Sequence, residues 1–179
     1  RGLALTHRPF DAVDLTRGEL EVQRTPLCWV LLEQQCPAAV QQKLVGYVRR
    51  GGKLVIAGRL PRTDFDGAAC TLLADALAVT AIQSDEPFTP RTVQVFHHRD
   101  VPASFVETYT GDFDEVFATR EDGAIVGFTK RLGQGQVMVF GAAVPANTLD
   151  DLDIVHQLAL RQGCPPLFEL SDWADVRVS

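Results

Sequence analysis

The segment from Leu27 to Gly58 constrains the fold most. Leu27-Cys28-Trp29-Val30-Leu31-Leu32 and Lys53-Leu54-Val55-Ile56-Ala57 are short, continuously apolar and rich in branched side chains, the pattern of strands buried on both faces of a parallel sheet. Two parallel strands need a crossover, and the residues between them supply one. Pro37 suits the first position of a helix running to Arg50, Val40, Leu44, Tyr47 and Val48 fall on one of its faces, and Gly51 follows the basic pair Arg49-Arg50 as a stop. A βαβ unit is therefore expected here.

Around this unit, Gly2 to His7 reads as the end of a helix closed by Pro9, Phe10 to Leu15 as a strand and Thr16-Arg17-Gly18 as a turn. A polar loop, Gly58 to Gly67, leads to a short helix at Ala69 to Leu77 and a strand at Ala78 to Ile82. From Pro87 the texture changes. Thr92 to Phe96, Phe105 to Tyr109, Val116 to Thr119, Ala124 to Thr129 and Gln136 to Phe140 are short β-forming runs separated by turn residues, an antiparallel meander. Arg131-Leu132-Gly133-Gln134-Gly135 is the hairpin before the last of them. A second helix runs from Thr148 to Gln162: Thr148 and Asp151 make a capping-box variant, Asp150, Asp151 and Asp153 favour the positive helix start, and Leu152, Val155, Leu158 and Ala159 form its buried stripe. Gly163 and Pro165-Pro166 end it.

Of 179 residues, 46% are hydrophobic and 22% charged, an ordinary globular composition for one domain with at most an appendage. A net charge of -6 and the lack of a basic stripe argue against a nucleic-acid partner. No apolar run approaches the roughly 20 residues that span a bilayer, so no membrane partner is expected. The chain opens at Arg1 without a methionine and closes within the strand-like Asp175 to Ser179. The expectation is a piece of a longer polypeptide, with the main domain at 1–170 and the start of a following β domain at 171–179. The parent is taken as cytoplasmic.

Chemistry-bearing residues are scattered. Cys28, Cys36, Cys70 and Cys164 show no metal-ligand spacing. Cys28 and Cys70 read as small hydrophobes. Cys36 precedes Pro37 at a helix N-terminus, where the dipole lowers a thiol pKa, but no histidine lies near it in sequence to act as base. Gly133-Gln134-Gly135 lacks the third glycine and following helix of a dinucleotide site. Asp64-Phe65-Asp66-Gly67 opens like a calcium loop without its closing glutamate and reads as a solvated turn. His97 and His98 are adjacent on a strand or at its end, so alternation should point them to opposite faces, unable to hold one ion together. His7 and His156 stand alone. Asp112, Asp114 and Glu115 read as wet surface. No catalytic, cofactor-binding or metal residue is assigned, and no cofactor is expected.

The run from Val40 to Pro61 resembles the "L-x-x-Y-V-x-x-G-G-x-L" core of the glutamine-amidotransferase-like domain of bacterial β-galactosidase-type glycoside hydrolases. Asp64-Phe65-Asp66-Gly67 with Cys70-Thr71-Leu72-Leu73, the Gly133 to Val137 hairpin leading to Phe140-Gly141, and Val176-Arg177 are similar too. Residues from about Pro87 to Arg120 match least. In that family the domain follows the catalytic barrel and is described as a trimerisation domain. The resemblance implies an α/β fold: a flavodoxin-like, class I glutamine-amidotransferase-like doubly wound, mostly parallel sheet, with an antiparallel β meander at about 87–130. Phe10 to Leu15, Leu27 to Leu32 and Lys53 to Ala57 would lie parallel in it, joined by Gln136 to Phe140. It also implies a non-catalytic assembly role, with the parent's catalytic barrel as partner in a trimeric homo-oligomer. Working amidotransferases carry a nucleophilic cysteine where Arg59 stands here, so the thiolate chemistry is missing. Arg59 either pairs with a carboxylate, such as Asp64 or Asp66, or faces solvent. The alternative is a small stand-alone amidotransferase-like or flavodoxin-like enzyme using Cys36 or a bound cofactor at the carboxyl ends of the strands.

Overall fold

The structure, a computed structural model, describes residues 10–85, 91–144 and 148–166. The βαβ unit forms as its sequence dictates. Strand β1 (Leu27–Leu32) and strand β2 (Lys53–Gly58) pair in parallel from Leu27↔Lys53 to Leu32↔Gly58, joined by helix α1 (Ala38–Arg49). Pro37 is the N-cap of α1 rather than its first residue. Gly51, at φ +105°, takes the left-handed conformation that ends the helix. Gly52 has a different reason to be glycine. A Cβ there would sit 2.3–2.5 Å from ring atoms of Tyr47, whose hydroxyl lies 2.8 Å from the Thr25 carbonyl and 3.1 Å from that of Lys53. Leu44, Tyr47, Val48 and Leu54 are all fully buried. The "Y-V-x-x-G-G-x-L" spacing is thus a packing unit in which a tyrosine ring lies on a glycine.

Beyond this unit the chain continues through helix α2 (Leu72–Leu77) and strands β3 (Val79–Asp85), β4 (Arg91–Val95), β5 (His98–Ala103), β6 (Val106–Gly111), β7 (Glu115–Arg120), β8 (Ile125–Leu132) and β9 (Gly135–Phe140), then helix α3 (Leu149–Arg161). The nine strands form one curled mixed sheet in the order β1-β2-β9-β8-β7-β4-β5, with β6 pairing both β8 and β3. The hairpin Gly133-Gln134 turns β8 into β9, which lies parallel to β2.

A doubly wound, mostly parallel flavodoxin-like sheet is therefore not what forms. Among the described residues two strand ladders are parallel (β1 with β2, β2 with β9) and six are antiparallel. The physical reason is connection length: the 27–58 segment carries a helical crossover between two neighbouring strands, the six-residue α2 leads instead into β3, which pairs antiparallel with β6, and the strands from β4 to β9 follow one another through short connections that favour antiparallel pairing. Doubly apolar runs did not discriminate, because the centre of β8, Val126 to Thr129, is just as buried within an antiparallel neighbourhood. Phe10 to Leu15 is not a strand. Phe10 and Val13 are exposed, and Asp14 instead organises a turn by accepting from Thr16 N (2.9 Å), Thr16 Oγ1 (2.6 Å) and Gly18 N (2.7 Å). The expected helix end at Gly2 to His7 and the following β domain at 171–179 lie outside the described residues.

Two cores result, one on each side of the sheet. Helices α1 and α2 close the first over Leu54, Ile56, Phe128, Val137 and Val139. Helix α3 closes the second over Val55, Val95, Phe117, Met138 and Phe140. The capping box forms, with Thr148 Oγ1 accepting from Asp151 N at 3.1 Å and Asp151 Oδ2 from Thr148 N at 3.0 Å. The stripe differs from the expected one: Ile154 is buried beside Leu158 and Ala159, while Leu152 and Val155 are half-exposed.

Candidate functional site

The carboxyl ends of β1 and β2 hold an ionic network. Arg59 follows β2 directly, its N–H donating to the Leu32 carbonyl at 2.9 Å. It is only 8% exposed. Its guanidinium lies 4.7 Å from the centre of the Phe105 ring and 3.8 Å from Glu33 Oε2. The expected pairing with a carboxylate holds, but with Glu33 rather than the suggested Asp64 or Asp66, and the side chain does not face solvent. Glu33, Arg59, Ser104 and Phe105 line a cleft of about 280 Å³.

Beneath it sits Glu107, with no exposed surface. Its Oε1 accepts from Leu60 N at 2.9 Å and from the Tyr109 hydroxyl at 3.0 Å, and its Oε2 from Arg62 Nη2 at 3.1 Å. Burial raises its pKa, opposed by those donors and by the charges of Arg62 and Arg59. Tyr109 is raised well above its ordinary value by burial and by the neighbouring carboxylate. The carboxylate is engaged by three donors from two segments, so its work is to fix the loop after β2 onto β6. Sequence reading missed Glu107, because its partners in the loop after β2 lie 45 and 47 residues away and a lone glutamate in the run Val106-Glu107-Thr108-Tyr109 carries no motif.

Cys36 does not have the character of a nucleophile. It is 4% exposed, and burial, helped by the nearby Cys70 and Asp64, pushes its thiol up to about 11. A thiol so protonated at neutral pH is a poor attacking group. The neighbourhood is organised by Gln41, fully buried on α1, which donates to the carbonyls of Cys36 (2.9 Å) and Cys70 (3.2 Å) and accepts from Leu73 N (3.1 Å). Cys28 is likewise buried, its thiol raised to about 11.

The loop acids have structural work. Asp64 Oδ2 accepts from Ala38 N at 3.1 Å, capping α1 from 26 residues away, while Asp66 accepts from Ala68 N in an exposed turn. Asp112 meets Lys130 Nζ at 3.2 Å, Asp114 accepts from Arg131 N at 2.6 Å, and Glu115 pairs with Arg161. Cys164 is half-exposed, His156 lies half-exposed on α3, and His7 is outside the described residues.

His97 and His98 break their expectation. Phe96, at φ +53°, and His97 form the two-residue turn between β4 and β5, so strand alternation does not apply. The two imidazole rings stand 4.0 Å apart, and both reach Asp153 on α3, His98 Nε2 at 2.8 Å and His97 Nε2 at 3.5 Å from Oδ2.

Residues 1–115 match the family described as "GLMA-like, second domain". The chain belongs to that family. Over 93 residues, 51% of this chain and 12% of the relative, it is 39% identical to an exo-β-D-glucosaminidase of Thermococcus kodakarensis. Over 161 residues, 88% of the chain and 22% of the relative, it is 24% identical to a β-1,2-glucosyltransferase of Ignavibacterium album. Among solved structures a GH42 β-galactosidase of G. stearothermophilus superposes with a TM-score of 0.76 at 16% identity, over 93% of this chain and 25% of that one, which shows a shared fold. The chain spans between about an eighth and a quarter of the length of these three proteins. The glycoside-hydrolase resemblance carried by Val40 to Pro61 agrees with that membership.

Proposed function

We infer that this chain is a non-catalytic assembly domain of a longer carbohydrate-active enzyme, a glycoside hydrolase of the β-galactosidase or exo-β-glucosaminidase kind. Its partner in that parent is a catalytic barrel. The observation that carries the reading is Arg59. Where the amidotransferase resemblance puts a nucleophile, this chain has a guanidinium held between Glu33 and Phe105, with the adjacent carboxylate of Glu107 wholly buried and engaged. Glycoside hydrolysis needs two carboxyl groups facing each other across a sugar, one of them kept protonated. Glu33 and Glu107 do not meet that description, because one is exposed and the other is sealed beneath the loop it holds. Homo-oligomerisation through this domain, with a trimer as the family resemblance implies, is part of the same reading.

The test is turnover of chromogenic β-galactoside and β-glucosaminide and of glutamine by the purified chain, beside the Asp64→Ala, Asp66→Ala, Cys36→Ala triple variant. No turnover by either protein is the expected result. Activity above background that disappears in the triple variant would replace the assembly reading with the small-enzyme alternative.

A further inference from the structure

We propose that His97, His98 and Asp153 form a binding site for one divalent first-row transition-metal ion, which ties the β4–β5 turn to helix α3. The three donor atoms come from two elements distant in sequence and lie within 4.8 Å of one another. Around a tetrahedral ion with bonds of about 2.0–2.1 Å, neighbouring donors sit about 3.3 Å apart. The observed separations from Asp153 Oδ2, 2.8 Å to His98 Nε2 and 3.5 Å to His97 Nε2, bracket that value. Two imidazoles and one carboxylate suit zinc, nickel, cobalt or copper, and not calcium or magnesium, which take oxygen ligands.

The surroundings support the donors as a metal site's outer shell does. Gln157, one turn along α3, donates to Asp153 Oδ1 at 3.4 Å, leaving Oδ2 for the histidines. Asp150 Oδ1 lies 3.8 Å from His98 Nδ1, on the ring edge away from the shared carboxylate, where a small side-chain rotation lets it accept that N–H and fix the tautomer. The turn itself is held firmly. The ring of Phe96, beside His97, stacks on Phe117 at 5.1 Å and is covered by the Arg161 guanidinium at 4.7 Å. Burial is graded, with His98 12% and Asp153 25% exposed and His97 68% exposed. The ion enters from the His97 side, and water fills its remaining positions. The metal takes the place of the hydrogen between His98 Nε2 and Asp153 Oδ2, that proton passing to Nδ1 or to solvent, so the hydrogen bond seen here is the metal-free form of the same contact.

The experiment titrates zinc and nickel separately into the untagged, chelator-stripped chain by calorimetry. Cobalt absorption and thermal unfolding are read on the same samples. Expected are one saturable ion per chain, an unfolding midpoint that rises with zinc, and a cobalt spectrum without a thiolate charge-transfer band. His97→Ala and Asp153→Asn should each weaken binding more than tenfold, and Gln157→Ala by about tenfold. His97→Ala is the deciding variant, since its exposed side chain is the least needed for folding. Three results would overturn the proposal: no saturable binding at millimolar metal, binding unchanged in His97→Ala, or a thiolate band placing the ion on Cys28, Cys36, Cys70 or Cys164.

Discussion

At the scale of single residues, the Tyr47–Gly52 contact makes the sharpest energetic statement. A methyl at position 52 has nowhere to go, because the ring it meets is fully buried and its hydroxyl end is held near two carbonyls. Gly52→Ala should cost about 1–3 kcal/mol as an overpacking defect. In a Tyr47→Leu background the same change should cost less, giving a coupling of about 1 kcal/mol or more in a denaturant double-mutant cycle. Additive losses would mean that the glycine is needed for some other reason. The buried thiols carry a pH prediction. Cys28 and Cys36 titrate near an ordinary 9.0 when unfolded and about 11 when folded, so between those values the folded chain holds more protons. Stability is then complete below pH 9 and falls as pH rises toward 11, by at most about 1.4 kcal/mol per pH unit for each thiol. Denaturant midpoints of the wild type and of the Cys28→Ala, Cys36→Ala double variant, measured from pH 8 to 11 in reducing buffer, should converge as pH rises.

At the scale of elements, what could be read from the sequence was local and what could not was distant. The βαβ unit was legible because Val40, Leu44, Tyr47 and Val48 declare a helix face and both flanking runs are apolar. Its N-terminal cap was not, because Pro37 has no cap side chain and Asp64 arrives from the loop after β2, 26 residues on. Asp64→Ala should therefore cost about 0.5–2 kcal/mol, the usual worth of a helix cap, and Asp66→Ala, which loses only an exposed turn bond, clearly less. Equal losses in chemical denaturation would refute the capping role. Strand β5 was missed outright. His98-Arg99-Asp100-Val101-Pro102-Ala103 carries charges and a proline and buries only Val101 and Ala103. It lies at the end of the main strand order, where a proline is tolerated. Missing it also hid the candidate ion site, since placing His97 in a turn depends on knowing that β4 and β5 are paired. The Arg59 network was half-legible: an arginine in need of a carboxylate was visible at position 59, but Glu33, Phe105 and Glu107 reach it only through the fold.

At the scale of the whole molecule, the question is which surface an assembly domain would use, and the edge of the sheet offers a concrete answer. Among the described residues strand β1 ends the strand order, pairing with β2 on one side. Its residues alternate cleanly: Cys28, Val30 and Leu32 enter the first core, while Leu27 and Trp29 pack partly against the second. Leu31 continues that second row but is 81% exposed. An uncovered leucine on a sheet edge invites pairing with another chain, and proteins that stay monomeric usually place a charge at such a position. Covered in the parent, the same side chain would contribute at an interface core. Leu31→Lys should therefore lower the average mass seen by light scattering across concentration. It should leave thermal stability within about 0.5 kcal/mol, because the side chain touches little in the folded chain. Equal association by wild type and variant would move the assembly surface away from β1, and a wild type that stays monomeric at the highest concentration would mean that this domain does not drive assembly by itself.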